Sequence, residues 1–276
     1  MIEIGKYNTL KVVKLVDFGV YLDGGNNVEI LLPARYISTP LNEGDSIEVF
    51  IYTDSEDRLI ATTLHPMAQV GEFAFLTVKQ STGIGAFLEW GLAKDLLVPF
   101  SEQRIKMREG GNYLVYVYLD DNTKRIVAST KINKFIGNTL PNYKRGDSVN
   151  VLICEINNLG YKAIVDNQHY GLIYRNETYS NVRVGDNLTA YVKAVRPDGK
   201  IDLTLNDTSA NRTYNLAHEI LDWLQISGGQ GLLNDKSSPE EIKDTFACSK
   251  KDFKKALGYL YKERKINFTD DGITLV

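Results

Sequence analysis

Apolar and polar residues alternate along the first 206 residues in short runs separated by turn signals, the period-two signature of half-buried strands. Thr9, Lys11, Val12, Val13 and Val16 predict a first strand over 8–16. Asp17-Phe18-Gly19-Val20-Tyr21-Leu22 predicts a second with a glycine inside it, which marks a bend or bulge. Asp23-Gly24-Gly25-Asn26-Asn27 is a hairpin turn. Ile30-Leu31-Leu32 is a third strand ending at Pro33, Ser46 to Tyr52 a fourth, and Arg58 to Leu64 a fifth. The same order returns at 73–80, 86–90, 96–98, 112–118 and 125–131, and again at 149–156, 161–166, 171–174, 187–195 and 200–206. From about Arg212 the period becomes helical. Leu216, Ile220, Leu221 and Leu224 predict a helix over 213–225, broken by Gly228-Gly229-Gln230-Gly231. Ser238-Pro239-Glu240-Glu241 starts a second helix, with Ile242 and Phe246 facing inward. Ser249 caps a third, whose apolar stripe is Phe253, Leu257, Leu260 and Tyr261. A hairpin around Asp270-Asp271-Gly272 closes the chain.

The strand sets are copies of one another. Gly5, Gly19 and Gly44 precede Gly71, Gly85 and Gly110 by 66 residues, and these precede Gly146, Gly160 and Gly185 by 75. Arg58-Leu59-Ile60-Ala61-Thr62, Arg125-Ile126-Val127-Ala128-Ser129 and Lys200-Ile201-Asp202-Leu203-Thr204 are matching closing strands. Each copy is then one structural unit. Five short strands with a longer connection between the third and fourth fit the OB-fold barrel. Helix, short strand, helix, helix and hairpin is the order of a winged helix. The expected class is mainly β with a small α+β C-terminal domain. The expected domains are barrels over 1–66, 67–134 and 142–208 and a winged helix over 212–276, with a polar linker over 133–144.

Composition narrows the function classes. A net charge of −3 offers no global attraction to nucleic acid, so any such role must rest on local patches. Cys154 and Cys248 lie in different units and form no disulfide framework, which suits a reducing compartment. Neither a signal core nor a run of about 18 apolar residues is present, so a cytoplasmic location without membrane contact is expected.

The copies resemble the S1 RNA-binding domain. Asp17-Phe18-Gly19-Val20-Tyr21-Leu22 and Gly85-Ala86-Phe87-Leu88 are similar to its strand-two pattern. Leu97-Val98-Pro99-Phe100-Ser101-Glu102 and Gly171-Leu172-Ile173-Tyr174-Arg175-Asn176-Glu177 are similar to its strand-three pattern. Glu43-Gly44-Asp45 and Val184-Gly185-Asp186 match the turn before strand four. Pro33, Pro99 and Tyr174 stand where the family has a strand-three histidine. Three such units before a winged helix resemble the conserved virulence factor B family of bacteria. The resemblance implies single-stranded RNA as the partner and a role in post-transcriptional control of gene expression. It also implies ribonucleases or ribosome-associated proteins as further partners, with transcripts made more or less accessible to ribonucleases.

Single strands are held by aromatic faces under bases and by cations along phosphates, and OB-folds present these on strands two and three. The aromatic candidates are Phe18, Tyr21, Phe87, Trp90, Tyr161, Tyr170 and Tyr174. Phe18 and Tyr21 lie three apart, so only a bend or bulge shows both on one face; either they or Phe87 can instead be core. Trp90, at a hairpin end, is the more exposed choice, and Tyr174 replaces the family's histidine with a larger face. Arg35, Arg58, Arg125, Arg175 and Lys200 recur at equivalent places, and Lys162 and Arg175 beside the tyrosines make the third copy the best mixture. The strongest patch is Lys250, Lys251, Lys254, Lys255, Lys262, Arg264 and Lys265, a net +5 over the last helix and the strand after it, where a helix-turn-helix variant contacts its groove.

Catalysis finds little support. His65, His169 and His218 fall in separate units, with His169 expected to be exposed, and no convergent carboxylate set or phosphate loop is visible. No metal, cofactor or small-molecule substrate is implied. Two rival classes remain: a protein-interaction scaffold, favoured for the first two copies by Pro33 and Pro99, and a DNA-binding regulator led by the winged helix.

Overall fold

A computed structural model describes residues 2–175, 182–206, 209–269 and 272–276. Its first 206 residues hold three closed five-stranded barrels. Barrel 1 contains β1 (Tyr7–Val16), β2 (Gly19–Asp23), β3 (Glu29–Pro33), β4 (Ser46–Thr53) and β5 (Leu59–Thr62) in the closed order β1-β2-β3-β5-β4. A parallel pairing of Leu31 with Ile60 joins β3 to β5 and closes the ring. Barrel 2 repeats this with β6 (Phe73–Ser81), β7 (Gly85–Glu89), β8 (Leu96–Pro99), β9 (Asn112–Leu119) and β10 (Ile126–Ser129). Barrel 3 does so with β11 (Ser148–Ile156), β12 (Gly160–Val165), β13 (His169–Tyr174), β14 (Asn187–Val195) and β15 (Ile201–Thr204).

The repeating glycine sits at the first residue of the second strand, not inside it. Gly19, Gly85 and Gly160 have φ of 154°, 157° and 154°. At Gly19 a Cβ would stand 2.2 Å from the Leu32 carbonyl oxygen, and at Gly85 2.3 Å from that of Val98. These contacts are with backbone, which cannot rotate away. The glycine therefore lets the start of strand two approach the end of strand three closely, where Gly19 pairs with Pro33 and Gly85 with Pro99. The bend itself lies on the opposing strand. A register shift falls between Val12 and Lys14, between Val78 and Gln80, and between Ile153 and Glu155, so one bulge recurs in all three barrels.

Alternation explains how barrels 1 and 2 join. On β4, Val49 and Ile51 point into the barrel 1 core with Val12, Leu22 and Leu32. The intervening Phe50 and Tyr52 point the other way and belong to the barrel 2 cluster with Leu76, Leu88, Trp90 and Val115. Phe50 is fully buried and meets Trp90 edge-on at 6.0 Å. The segment expected as a polar linker also packs. Phe135 stacks on Tyr116 at 4.2 Å, and Ile136 is buried with Phe73, Leu152 and Ile164. Two adjacent apolar residues are enough to draw this polar stretch onto the surface they cover. His169, expected to be exposed, is buried too, with Nε2 2.8 Å from the Thr139 carbonyl oxygen.

The C-terminal unit has the expected order: α1 (Ser209–Ile226), β16 (Gln230–Gly231), α2 (Pro239–Phe246), α3 (Lys250–Lys262), β17 (Ile266–Phe268) and β18 (Ile273–Leu275). Its sheet runs β16-β18-β17. The Ser238 hydroxyl accepts from the Glu241 backbone N–H and the Glu241 carboxylate accepts from that of Ser238, a capping box that sets where α2 starts. Ser249 caps α3. The core is Leu216, Ile220 and Leu224 of α1 against Ile242, Phe253, Leu257 and Leu260.

Replacing Gly19 by alanine forces the Cβ into backbone, whereas at Gly44 a Cβ meets nothing within 4 Å although φ is 93°. Gly19→Ala is expected to destabilise barrel 1 by about 3 kcal/mol. Gly44→Ala is expected to cost about 1 kcal/mol, from its positive φ alone. Urea titration of the full chain should show the larger shift for Gly19→Ala, and equal shifts would refute the close-approach argument.

Candidate nucleic-acid interface

The exposed aromatics of the barrels depend on how each chain enters its second strand. In barrel 1 the turn at Asp17-Phe18 places Phe18 outside β2, where it is 58% exposed. Its ring meets Tyr21 edge-on at 6.4 Å, and the Lys14 ammonium lies 5.9 Å from the Tyr21 ring centre. Period two does not separate the pair, because one member is not in the strand. A shallow groove of about 410 Å³ runs beside Gly19 and Val20, bordered by Leu15, Ala34 and Ile37. Arg35 lies over the Tyr36 ring at 4.7 Å. Arg58 is bound within its own hairpin: Nε and Nη2 donate to Asp54 at 2.9 and 2.7 Å, and Nη1 lies 2.9 Å from Glu56. Burial would raise the Asp54 carboxyl, yet the Arg58 hydrogen bonds outweigh it and hold that group below the usual carboxylate range.

Barrel 2 has Ile84 where barrel 1 has Phe18, and Phe87 where it has Tyr21. Ile84 is exposed and Phe87 half-buried. Trp90, expected at an exposed hairpin end, is instead only 3% exposed. Its Nε1 donates to the Lys94 carbonyl at 2.6 Å, and barrel 1 covers its ring. A partner from another unit buries it, which no local pattern announces. Arg125 donates to Asp57 of barrel 1, a carboxylate that also lies 3.7 Å from Lys94.

In barrel 3 Tyr170 and Tyr174 are engaged by neighbouring side chains. Lys162 lies 3.9 Å from the centre of the Tyr170 ring, whose hydroxyl donates to Asn133 at 2.8 Å and whose ring packs on the Phe73–Ile136 cluster. Tyr170 and Lys162 thus help to hold a packed junction. Tyr161 is half-buried. The Tyr174 hydroxyl accepts from Arg196 and donates to Asp202 at 3.4 Å, while Arg196 grips Asp202 at 2.7 and 2.9 Å. Arg175 is exposed, and Lys200 pairs with Asp198 at 2.9 Å. In the third copy Tyr170 and Tyr174 are thus held by side-chain contacts, while Tyr161 is half-buried and Arg175 exposed. Phe18 of barrel 1 is the most exposed aromatic candidate of the three barrels among the described residues.

The basic patch is on the winged helix. Phe253, Ala256, Leu257 and Leu260 bury one side of α3, which turns Lys251, Lys254, Lys255 and Lys262 outward. Lys254 lies 3.7 Å from Asp235, and Lys250 donates to the Lys236 carbonyl at 3.3 Å. Arg264 and Lys265 are exposed just beyond the helix. Tyr261, expected in the buried stripe, is 55% exposed and meets Phe268 of β17 at 5.4 Å, itself 42% exposed. Sequence reasoning missed this pair. The helical angle places Tyr261 beside Lys254 and Gly258, and that angle was the available signal. A groove of about 380 Å³ lined by Asp235, Lys254, Gly258 and Phe268 runs along this face. The hairpin turn at Asp270-Asp271 lies outside the described residues.

Comparison with known proteins agrees with these modules. The S1 domain model matches residues 4–64 and 70–131, and the CvfB-like winged helix domain model matches residues 218–275. The conserved virulence factor B of Staphylococcus saprophyticus is 24% identical over 99% of this chain and 94% of its own length. In its modules and over nearly its whole length the chain is similar to the conserved virulence factor B family. A further relative is the uncharacterized protein YitL of Bacillus subtilis strain 168, 28% identical over 98% of this chain and 92% of its own. A solved multidomain protein with nucleic acid binding domains from Streptococcus pneumoniae is 26% identical, covering 99% of this chain and 98% of its own, at a TM-score of 0.41. S1 barrels and winged helices are nucleic-acid-binding modules, and the family combines them. Among the described residues no helix is long and apolar enough to cross a membrane, and no group of three or more His, Cys, Asp or Glu side chains is placed to hold a metal.

Cys154 sits at the barrel 3 bulge with its Sγ 3.3 Å from the Lys162 carbonyl. Burial pushes its thiol up to about 11, and the Lys162 charge offsets this only in part. At pH 8 roughly one molecule in a thousand carries the thiolate, the reactive form. Iodoacetamide at pH 8 is expected to leave Cys154 unmodified in the native chain and to label it in urea, read by peptide mass. Rapid native labelling would contradict the burial.

Proposed function

We propose that the protein is a non-enzymatic binder of single-stranded RNA that acts post-transcriptionally in the cytoplasm. The observation that carries this reading is the union, on one face of the winged helix, of the α3 lysines with the exposed Tyr261–Phe268 pair. Cations alone serve any phosphate backbone, duplex or single. Exposed aromatic rings serve bases that are not already stacked in a duplex. The Phe18–Tyr21 pair with Lys14 on barrel 1 is a second surface of the same composition. Lysines outnumber arginines on α3, which favours phosphate contact over base-edge reading and hence low sequence preference. A strand held along these surfaces is shielded from, or presented to, ribonucleases, and that is the step through which gene expression would change.

Fluorescence anisotropy with labelled single-stranded RNA, matched single-stranded DNA and duplex DNA at two salt concentrations tests the reading. Lys251→Glu/Lys254→Glu/Lys255→Glu is expected to weaken RNA binding roughly tenfold or more. It should also lower the slope of log affinity against log salt by about 2. Tyr261→Ala/Phe268→Ala is expected to cost about tenfold on RNA and little on duplex DNA. Preference for duplex DNA would replace this reading with a DNA-binding regulator. Absence of binding at low salt would leave the interaction scaffold.

A further inference from the structure

Gly258 stands exposed in the interior of α3. Glycine is the poorest helix former after proline, so the helix loses stability by carrying it there. Nothing in the fold asks for it. Its backbone is helical, without the positive φ of the turn glycines, and a Cβ would meet nothing from the rest of the fold within 4 Å. Two other glycines of the same unit differ. At Gly231 a Cβ would lie 2.1 Å from the Trp223 ring, and at Gly272 1.9 Å from the Gly231 carbonyl oxygen. Packing requires those two and does not require Gly258. An exposed glycine of that kind marks where another molecule comes close to the backbone.

What borders the gap says which molecule. On a helix surface the neighbours of a residue lie three and four positions away. For Gly258 these are Lys254, Lys255, Tyr261 and Lys262, all exposed. Three ammonium groups and one ring thus surround a notch that holds no side chain, against one carboxylate, Asp235, 3.7 Å from Lys254. The groove beside Gly258 continues to Phe268, the ring that meets Tyr261. In the other direction round the helix, Lys255 and Lys262 lie between Gly258 and Tyr259, and Asp252 and Glu263 follow only beyond that tyrosine. Tyr259 is 37% exposed and meets the exposed Tyr214 of α1 edge-on at 6.2 Å. The notch therefore has a pair of rings on each side. Cations beside bare backbone seat a phosphodiester, and rings to either side seat bases that have left a duplex stack.

We propose that a single RNA strand crosses α3 at Gly258, its sugar-phosphate backbone against the helix backbone and its bases splayed onto Tyr261–Phe268 on one side and Tyr259–Tyr214 on the other. The proposal rests on the reading of the protein as a binder of single strands and says how its winged helix holds one. A duplex keeps its bases inside and cannot reach both ring pairs at once. Discrimination between single strand and duplex then resides in the shape of α3 rather than in its charge.

Gly258→Ala and Gly258→Leu test this in the full chain, because both substitutes form helices better than glycine. Alanine is expected to slow amide hydrogen exchange along α3 about two- to fivefold. In anisotropy with labelled oligo(U), filling the notch is expected to weaken binding about fivefold for alanine and about thirtyfold for leucine. Tyr214→Ala/Tyr259→Ala is expected to cost about tenfold on oligo(U) and little on duplex DNA. Weaker binding with faster α3 exchange would make Gly258 a structural residue and overturn the proposal. Wild-type affinity for oligo(U) in both glycine variants, or in the double tyrosine variant, would overturn the crossing and leave the winged helix as an RNA-binding surface. Equal losses on duplex DNA would overturn it in favour of a duplex seated on α3. No binding of oligo(U) by the unaltered chain would overturn both the crossing and the reading beneath it.

Discussion

The second half of β4 is buried on both of its faces, and much of the N-terminal structure follows from that. A strand in a small barrel normally gives one face to the core and one to water. Here Val49 and Ile51 fill barrel 1 while Phe50 and Tyr52 fill barrel 2, so two cores share one strand. Detaching the barrels would expose the Phe50 ring and the tryptophan against it. Burial of a large apolar side chain is worth about 1.5–3 kcal/mol, and two such rings make the junction a structural one. The hairpin that follows β4 is fixed by the same packing, which is why Asp54 and Asp57 meet Lys94 and Arg125 of the next barrel.

The strands, helices and repeat were legible because they are local. Alternation marks a strand wherever it falls, and Gly19, Gly85 and Gly160 announce one backbone problem solved three times. What stayed hidden was set by distant partners. Trp90 resembles any hairpin aromatic until Phe50, forty residues earlier, covers it. Phe135 and Ile136 lie in a polar stretch whose destination is a cleft elsewhere in the fold. Tyr261 follows Leu260, and one step of helical rotation decides which of them is covered. The basic patch was readable as composition; the aromatic pair that changes its meaning was not, since Phe268 arrives on a separate strand.

The ion pairs divide the candidate cations into two groups. Arg58, Arg125 and Lys200 recur at the closing strands, yet each has a carboxylate within hydrogen-bonding reach. Arg58 and Lys200 brace their own hairpins, and Arg125 ties barrel 2 to barrel 1. Among the described residues the outward lysines of α3 are less engaged: Lys254 lies near Asp235 at a looser 3.7 Å. Recurrence at equivalent positions therefore reflects the architecture of the repeat, whereas other surface positions differ between units. Phe18, Ile84 and Leu159 occupy one place in three barrels, and only the first is aromatic.

The recurrent bulge has a consequence of the same kind. A bulged residue is left out of the ladder, so its identity is free of the constraints that pairing imposes. The three equivalents are Val13, Lys79 and Cys154: an exposed apolar group, a cation paired with Asp95, and a thiol tucked beneath a lysine. The device that bends each barrel also supplies one position per copy at which duplicated modules can diverge without slipping their strands.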